Sequence, residues 1–432
     1  MIQQFVSSRL GEAYERIRHS SGMEIFISHK PVTSASAMLG VRYGSAHLPP
    51  DMPDVPLGVA HFLEHKVFEA PGGQSFDLVF SELGAEVNAY TSYDRTVYYV
   101  NCTQCFGEAL TNLLTMVSSL TVTPPSVKRE RDIIAEEIRM NNDSPFERCY
   151  AEMLTAMYAS HRMREEICGS ERSIAKISPK LLRQIYAMYY RPDHMILAVC
   201  GNVTSQEVLS CVDAVYGDFV PAEYPPLPPE HRYDEPLMPA KPYTELCMRV
   251  PKPLVSIGVK MPAPEMSREE MFRRDVCASV LCEMLFSRSG ELYDRLFEGG
   301  YITPTYSYGY AVGKDYGYFA VSCECDHPRR VQECIFAYMQ EVKDRGLDKD
   351  DFDRCRRVLY ADYVTGFDAP EDVASLLMSY AMDGVDLFDY LEILSSLTLV
   401  EVENLFEECF TPEACALSVV TSTENGCEVC ED

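Results

Sequence analysis

Short runs of alternating apolar and polar residues begin near the start of the chain. Residues 23–29 and 36–43 follow this pattern and are bounded by Gly or Pro, which is typical of β-strands. Residues 85–102 form a longer run rich in aromatic and β-branched residues, interrupted by a turn predicted at residues 93–95. We therefore predict that these segments pair in an antiparallel-rich sheet.

Segments with apolar residues every three or four positions predict helices. Residues 75–83 form one such face, and Gly84 after them is a common helix-terminating residue. A second helix is predicted at residues 126–141, directly after Pro124 and Pro125. Two further helices and one buried strand complete the first half: residues 106–120, 179–190 and 195–201. The first half is thus predicted to be a sheet backed by helices.

A proline-rich stretch divides the chain into two similar lengths. Eight prolines occur among charged and polar residues between positions 220 and 243, a composition typical of an extended, semi-rigid linker. The sequence therefore predicts a first domain over residues 1–219, a linker over residues 220–243 and a second domain over residues 244–432.

The two lengths repeat the same order of predicted elements. A strand at residues 255–261 corresponds to residues 38–43, and paired strands at 306–325 correspond to 88–102. The other corresponding segments are 291–300 with 75–84, 415–421 with 195–201, and 273–286 with the helix around His61. This repetition predicts an α+β fold of two homologous halves, each an antiparallel-rich sheet backed by helices.

One short segment carries the residue types of a hydrolytic metal site. His61 and His65 are four positions apart, so on a helix they project from one face and can bind one cation. Glu64 lies beside them, where a carboxylate can accept a proton from a water molecule acidified by a metal. The order His-x-x-Glu-His is the inverse of His-Glu-x-x-His and is typical of inverzincins. Residues 277–281 of the second half lack these residue types, so only the first half is predicted to bind metal.

The alternative is a helix that carries two histidines and an acid by chance, and a third ligand would argue against it. The helix predicted at residues 126–141 supplies a candidate, because Glu137 shares by spacing an apolar side with Ile133, Ile134 and Ile138. A buried carboxylate without a partner is costly, and a metal ion provides the partner. We therefore predict Glu137 as the third ligand.

Two neighbouring glutamates receive different predictions. Glu130 lies seven positions before Glu137, two turns along the same face, and is predicted to support the site without binding the metal. Glu136 is rotated from that face by about 100° and is predicted to face solvent.

Composition and charge exclude several other classes of protein. Hydrophobic residues make up 47% and charged residues 24% of the 432 residues, as in ordinary proteins of two or more domains. The net charge of −28 argues against a nucleic-acid partner and disfavours anionic membrane surfaces. No run of eighteen apolar residues occurs, and residues 1–21 lack a signal-peptide pattern. We therefore predict a cytoplasmic protein without a membrane span.

The cysteines are numerous but show no framework spacing. Seventeen are scattered along the chain, which favours reduced thiols. Two Cys-x-x-Cys pairs occur, Cys102 with Cys105 and Cys427 with Cys430. A four-cysteine zinc site would need both pairs, and they lie at opposite ends of the chain, so packing is the preferred interpretation of Cys102.

Several motifs together resemble the pitrilysin/insulinase family of zinc peptidases, in particular its bacterial members similar to the mitochondrial processing peptidase. The matching motifs are Gly58-x-x-His61-Phe-Leu-Glu64-His65, Asn88-Ala89-x-Thr91-Ser92 followed by Thr96 and Tyr98, Glu130-Arg131-x-Ile-Ile-x-x-Glu137, and Gly201-Asn202-Val203. They are spread over the first half, and the repeated layout extends the resemblance to essentially the whole chain.

The resemblance implies a role for each residue of the predicted metal site. It implies one zinc ion per chain, held by His61, His65 and Glu137. It also implies that Glu64 is the general base and that Glu130 supports catalysis.

The resemblance further implies how substrate is held. The strand with Asn88, Ala89 and Thr91 is expected to be a sheet edge to which an extended peptide adds as a further strand. The two halves are expected to enclose a chamber, which would favour peptides over folded proteins.

The second half departs from the family pattern. Family members usually carry there an Arg and a following Tyr that hold the substrate backbone, but Phe297 occupies the position of the Arg. Arg295 is two positions away, a rotation of about 200° on a helix, and neither Tyr301 nor Tyr306 aligns with the expected Tyr. The chain therefore resembles the metal-binding subunit of a two-component peptidase, whose homologous partner supplies the Arg and the Tyr.

These observations predict a zinc-dependent endopeptidase that cleaves extended peptides as part of a heterodimer. A self-sufficient homodimeric protease is one alternative. A non-catalytic scaffold subunit of the same fold is another, although such subunits lose the metal motif that this chain retains.

Overall fold

The alternating segments fold into two β-sheets in the computed structural model, which describes residues 2–70, 72–226 and 231–422. The strands are β1 (Ile2–Ser7), β2 (Glu12–Arg18), β3 (Glu24–His29), β4 (Ala35–Val41), β5 (Glu86–Thr91), β6 (Thr96–Cys102), β7 (Met195–Gly201), β8 (Tyr243–Met248), β9 (Leu254–Lys260), β10 (Tyr306–Val312), β11 (Gly317–Glu324) and β12 (Cys415–Ser422).

Helices connect and cover these strands. They are α1 (Val59–Val67), α2 (Phe76–Glu82), α3 (Phe106–Ser118), α4 (Pro124–Asn142), α5 (Pro145–Met157), α6 (Glu171–Ile174), α7 (Pro179–Tyr189), α8 (Ser205–Tyr216), α9 (Arg268–Phe286), α10 (Glu291–Glu298), α11 (Pro328–Arg345), α12 (Lys349–Thr365), α13 (Pro370–Asp383), α14 (Asp389–Ser396) and α15 (Leu399–Cys409). Short 3₁₀ turns lie at Arg162–Arg164, Pro192–His194, Pro221–Glu223 and Pro412–Ala414.

The second sheet repeats the order of five strands of the first sheet, which has β1 and β2 in addition at one edge. The first sheet has the order β1-β2-β3-β7-β4-β6-β5, and the second has β10-β11-β9-β12-β8. Each sheet has one parallel pair at the corresponding place, β3 with β7 and β12 with β8. The other pairs among the described strands are antiparallel. The predicted α+β fold of two homologous, antiparallel-rich halves is confirmed.

Most predicted elements lie within a few residues of their expected positions. The hairpin of β5 and β6 and the buried strand β7 are observed as predicted. The pattern does not predict β1 and β2, because β1 reads Ile-Gln-Gln-Phe-Val-Ser and its side chains are largely exposed. An exposed edge strand of this kind carries no alternation of burial for a sequence to show.

Two compact units divide the chain differently from the predicted domains. The first comprises Met1–Ile138, Glu166–His231 and Tyr363–Phe388, and the second comprises the remaining stretches, Arg139–Glu165, Arg232–Asp362 and Asp389–Asp432. Residues 139–165 therefore belong to the second unit, although they come from the first half of the sequence. Residues 363–388 belong to the first unit, although they come from the second half. In sequence, the predicted linker lies between β7 and β8, and Pro228 and Pro229 within it lie outside the described residues.

In the first unit, α13 covers one face of the sheet and contacts β7, β4 and β3. Gly40 on β4 allows this close packing, because a Cβ atom there would lie 2.2 Å from Met382 Cε and 2.5 Å from Met378 Sδ. Arg42 fixes the end of the helix by donating hydrogen bonds to the carbonyls of Ala381 and Met382 at 3.1 and 2.6 Å. The opposite face of the sheet packs against α1, α3, α7 and α8 and forms the main core.

In the second unit, α5 takes the equivalent place and contacts β12, β9 and β8. Gly258 on β9 corresponds to Gly40, and a Cβ atom there would lie 2.0 Å from Met157 Cε and 2.8 Å from Met153 Sδ. A glycine facing two methionines therefore recurs at the same position of both sheets.

A buried carboxylate anchors the chain after α5 in the second unit. Glu235 accepts hydrogen bonds from the backbone N–H groups of Ala159, Ser160 and His161 at 2.6 to 2.8 Å. It also accepts a hydrogen bond from the hydroxyl of Ser160 at 2.8 Å. The Nζ of Lys260 lies 2.7 Å from Glu235, and both side chains are 3% exposed. Burial alone would raise the pKa of Glu235, but these hydrogen bonds outweigh it and lower the pKa to about 2.

We expect Glu235→Gln to destabilise the protein by about 3 kcal/mol at neutral pH, because a shift from 4.5 to about 2 is worth that much. Since the folded-state pKa is the lower one, the contribution is complete above pH about 5 and is lost as the pH falls towards 2. Chemical unfolding from pH 7 to pH 3 measures it. The matched control is Asp234→Asn at the exposed neighbouring position, and equal losses for the two variants would contradict the anchoring role.

Candidate metal centre

Helix α1 carries the first candidate ligands, and a glycine fixes its start. Gly58 has a φ of +87°, which residues with a side chain rarely adopt. A Cβ atom there would lie 2.5 Å from the backbone oxygen of Cys168. The helix that follows is buried almost throughout, including His61 and Glu64. The histidines of the motif therefore emerge from a helix held firmly in the core of the first unit.

His61, His65 and Glu137 converge where α1 meets α4. One potential ligand atom from each residue lies within 4.8 Å of the others. Nε2 of His61 is 3.4 Å from one carboxylate oxygen of Glu137, and Nε2 of His65 is 3.4 Å from the other. The structure thus brings together the three residues that the sequence predicts as ligands.

Glu130 supports this arrangement from α4, two turns before Glu137. Its Oε1 lies 3.1 Å from Nδ1 of His65, on the side of the ring away from Glu137. A hydrogen bond from Nδ1–H to a carboxylate fixes the tautomer that leaves the Nε2 lone pair free for a metal. The predicted supporting role of Glu130 therefore has a geometric basis.

The donor set fits a zinc ion of hydrolytic type. Two imidazoles and one carboxylate are the protein ligands of a well-known class of catalytic zinc sites. The contacts of Glu137 with both rings are longer than ordinary N–H···O hydrogen bonds, so the three groups face one another without closing on each other. His61, His65 and Glu137 would hold the metal, and Glu64 would remain outside its ligands.

The charged contacts shift the pKa values of these groups. Burial alone would lower the pKa of His65, but the contacts with Glu130 and Glu137 raise it to about 9, so metal binding would displace a proton from His65. The contacts with His61 and His65 hold the pKa of Glu137 well below its usual range. Burial would raise the pKa of Glu130, but the contact with His65 lowers it. Both glutamates are therefore ionised at neutral pH, as a ligand and its supporting partner must be.

Glu64 is held by Thr91, a residue predicted to bind substrate. The hydroxyl of Thr91, at the end of β5, donates a hydrogen bond to Oε2 of Glu64. The resemblance predicts Thr91 as a substrate-binding residue, whereas the structure places its side chain against the predicted base. The spacing of residues alone cannot reveal this contact, because it joins a helix to a strand 27 positions later.

The predicted substrate strand lies at an edge of the first sheet. β5 is the terminal strand of the sheet and pairs with β6 along its length. Asn88 is exposed, and its side-chain oxygen accepts a hydrogen bond from the backbone N–H of Ala89 at 2.8 Å. Because side chains alternate along a strand, Asn88 faces the side of the sheet opposite to Thr91. The edge position agrees with the predicted peptide-binding strand.

The apolar side of α4 differs from the prediction. Ile134 and Ile138 are buried, but Ile133 is 56% exposed and therefore lies off the buried side. Glu137 is partly exposed, and Glu136 is exposed as predicted. The buried face of α4 is therefore narrower than the spacing suggests and includes Ile134 and Ile138 but not Ile133.

Cysteines do not form a second metal site within the described ranges, where His61, His65 and Glu137 are the group found. Cys102 is buried and Cys105 is exposed, and both are free thiols. Cys427 and Cys430 lie outside the described residues. The prediction of reduced thiols is wrong at Cys247 on β8, which is disulfide-bonded.

Phe297, Arg295 and Tyr306, which the sequence places near the expected Arg and Tyr, lie in the second unit. Phe297 is 45% exposed on α10 and stacks on Tyr293 at 5.7 Å. Arg295 is engaged by Glu291 and Glu341 at 2.5 and 2.7 Å. Tyr306 is buried, with its hydroxyl bonded to the backbone oxygen of Phe286 at 3.0 Å. Arg295 is therefore engaged in ion pairs on the surface, and Tyr306 in a buried hydrogen bond.

Sequence profiles match most of the chain. The profile described as Insulinase (Peptidase family M16) matches residues 24–171, and that described as Peptidase M16 inactive domain matches residues 176–359. No helix in the described ranges is both long enough and apolar enough to cross a membrane.

Curated relatives bear related names. The uncharacterized zinc protease YmfH of Bacillus subtilis is 29% identical over 415 residues, which cover 94% of this chain and 96% of that protein. A protein named probable mitochondrial-processing peptidase subunit beta, from Schizosaccharomyces pombe, is 26% identical over 51% of this chain and 49% of its own length.

Solved structures share the fold. A crystal structure of an M16-like peptidase from Alicyclobacillus acidocaldarius superposes with a TM-score of 0.90 at 28% identity, covering 96% of this chain and all of that one. Pitrilysin superposes with a TM-score of 0.77 at 18% identity, covering 97% of this chain and 46% of that one. The second likeness concerns the fold alone.

Proposed function

Because the chain belongs to the insulinase family of peptidases, family M16, we propose that it is a zinc-dependent endopeptidase that hydrolyses extended peptides. The observation that carries this proposal is the convergence of His61, His65 and Glu137 within 4.8 Å beside Glu64. A zinc ion bound there would polarise the scissile carbonyl and lower the pKa of a water molecule.

The residues of the chain then have separate tasks. Glu64 accepts a proton from the attacking water and delivers it to the leaving amine. Thr91 holds the carboxylate of Glu64 in place through its hydroxyl. Glu130 orients His65. These contacts support a mechanism in which proton transfer depends on a base fixed between a helix and the edge strand.

The edge of β5 supports the choice of extended peptides as substrates. An edge strand offers unpaired backbone groups, and a peptide that pairs with them is bound without reading its side chains. Asn88 and Ala89 lie on this edge. The bound peptide would extend the first sheet by one strand.

We further propose that a homologous subunit completes the substrate site. The surface contacts of Arg295 and the burial of Tyr306 support this proposal, because the usual Arg and Tyr pair has no evident replacement on α10 or β10. A homodimer is the alternative. We also propose a cytoplasmic location, which the fourteen free cysteines among the described residues support.

Removing and restoring the metal tests the proposed activity. We expect the purified chain, mixed with its homologous subunit, to cleave unstructured peptides, to lose cleavage with a chelator and to regain it with one equivalent of zinc. Cleavage that survives complete metal removal would contradict a zinc peptidase. Full activity of the chain alone would contradict the need for a subunit, and zinc-loaded protein without cleavage in either form would favour the scaffold role.

We expect Thr91→Val to lower kcat by about 10- to 100-fold with KM changed by less than about twofold, because a displaced base slows the chemical step. Thr91→Ser, which keeps the hydroxyl, should retain most of the activity. Steady-state kinetics on one peptide measures both constants. A rise in KM at constant kcat would instead support the substrate-binding role that the resemblance implies.

A further inference from the structure

Lys66 is a fully buried charged residue that directly follows a predicted metal ligand. It lies on α1 after His65 and has 0% of its surface exposed. It belongs to none of the predicted site residues, although a lysine between His65 and Val67 interrupts an otherwise apolar helix face. A buried ammonium group is unfavourable unless carboxylates accompany it.

Two carboxylates accompany Lys66. Its Nζ donates a hydrogen bond to Glu69 and lies 3.8 Å from Oε2 of Glu130. The other oxygen of Glu130 contacts Nδ1 of His65 at 3.1 Å. Lys66 therefore lies on one side of the Glu130 carboxylate and His65 on the other.

The surroundings are strongly acidic without Lys66. Glu64, Glu69, Glu130 and Glu137 all lie on or beside the two helices of the site, and Arg129 reaches Glu69 only at 3.5 Å. Like charges at such distances repel, and the repulsion is stronger in a buried environment. A metal ion would offset this repulsion, and in its absence the buried ammonium group of Lys66 offsets part of it.

We propose that Lys66 is a positioning residue that keeps Glu130 against His65, and so keeps the site assembled, before the metal binds. The inference rests on the proposed zinc site and adds a role for a residue outside the ligands. The ammonium group of Lys66 also lies near the proposed metal position, where its charge repels the metal ion. Removing Lys66 should therefore destabilise the metal-free protein while tightening its hold on zinc.

The test compares Lys66→Met, which keeps the length of the side chain without its charge, with Glu69→Gln and with the double variant. Thermal midpoints are measured in a chelator and with one equivalent of zinc, and zinc affinity is measured by competition with a chromophoric chelator. These readouts do not require catalysis.

We expect Lys66→Met to lower the metal-free midpoint by roughly 5–10 °C, with zinc restoring most of the loss and binding several-fold more tightly than in the wild type. Glu69→Gln alone should also lower the metal-free midpoint, because it removes one of the two carboxylates that accompany the buried ammonium group. Adding it to Lys66→Met should instead recover part of the loss, because one unpaired carboxylate is then removed. Equal losses with and without zinc, weaker zinc binding, or failure to fold in both conditions would overturn the proposal. Absence of zinc binding by the wild type would contradict the proposed function, whereas the metal-free comparison of Lys66→Met with the double variant would still decide whether Lys66 offsets these acids.

Discussion

Substituting Glu64 with glutamine is expected to lower kcat for peptide cleavage by about 10³-fold while leaving the zinc content of the protein unchanged. Glutamine keeps the shape of the side chain and can still accept the hydrogen bond from Thr91, but it cannot accept a proton from water. The loss should therefore fall on the chemical step, and single-turnover cleavage with metal analysis of the same sample measures it.

The matched control is Glu82→Gln at an exposed position near the end of α2. It makes the same chemical change in the same unit and should leave both activity and zinc content at the level of the wild type. Cleavage by Glu64→Gln within tenfold of the wild type would contradict the role of general base. A parallel loss of zinc would show instead that Glu64 is needed to form the site.

Substituting Glu137 with glutamine is expected to weaken zinc binding by more than the 10- to 100-fold typical of losing a supporting residue, because a ligand itself is removed. The carboxylate contacts both His61 and His65, and these contacts lower its pKa and so favour its ionised form. An amide is a weaker ligand and carries no charge. Zinc per chain after dialysis against a mild chelator measures the effect, and cleavage should fall with it.

Glu136→Gln provides a closely matched control, because the two residues are adjacent on α4 and only Glu137 faces the histidines. The control should keep one zinc per chain. If both variants lose zinc equally, the effect comes from the charge of α4 and not from coordination. If neither loses zinc, another group must serve as the third ligand.

The sequence predicts that His61, His65 and Glu137 converge, because helix geometry imposes their spacing. Four positions between His61 and His65, and seven between Glu130 and Glu137, place each pair on one helix face without knowledge of the fold. Ile133 shows the limit of this reasoning, because spacing cannot tell how wide a stripe of α4 the core covers. The contact of Thr91 with Glu64 depends on how a strand packs against a helix, so no local pattern encodes it.

The fold shows a similar division between local and long-range information. Order and period predict the duplicated halves, and the shared strand order confirms them. The predicted domains follow the proline-rich stretch, since a linker is visible in composition. The placement of α5 and α13 cannot be read from composition, because each helix packs on a sheet whose strands lie far away in sequence.

The placement of α5 and α13 on sheets far away in sequence has a consequence for how the protein is made. During synthesis the strands of the first sheet leave the ribosome early, but the β4 face with Gly40 stays uncovered until Met378 and Met382 on α13 have emerged. Conversely, α5 is complete before β9, the strand that receives it, exists. Neither half can mature alone, so a gene cut at the proline-rich stretch should yield two aggregation-prone fragments that become usable only when they are produced together.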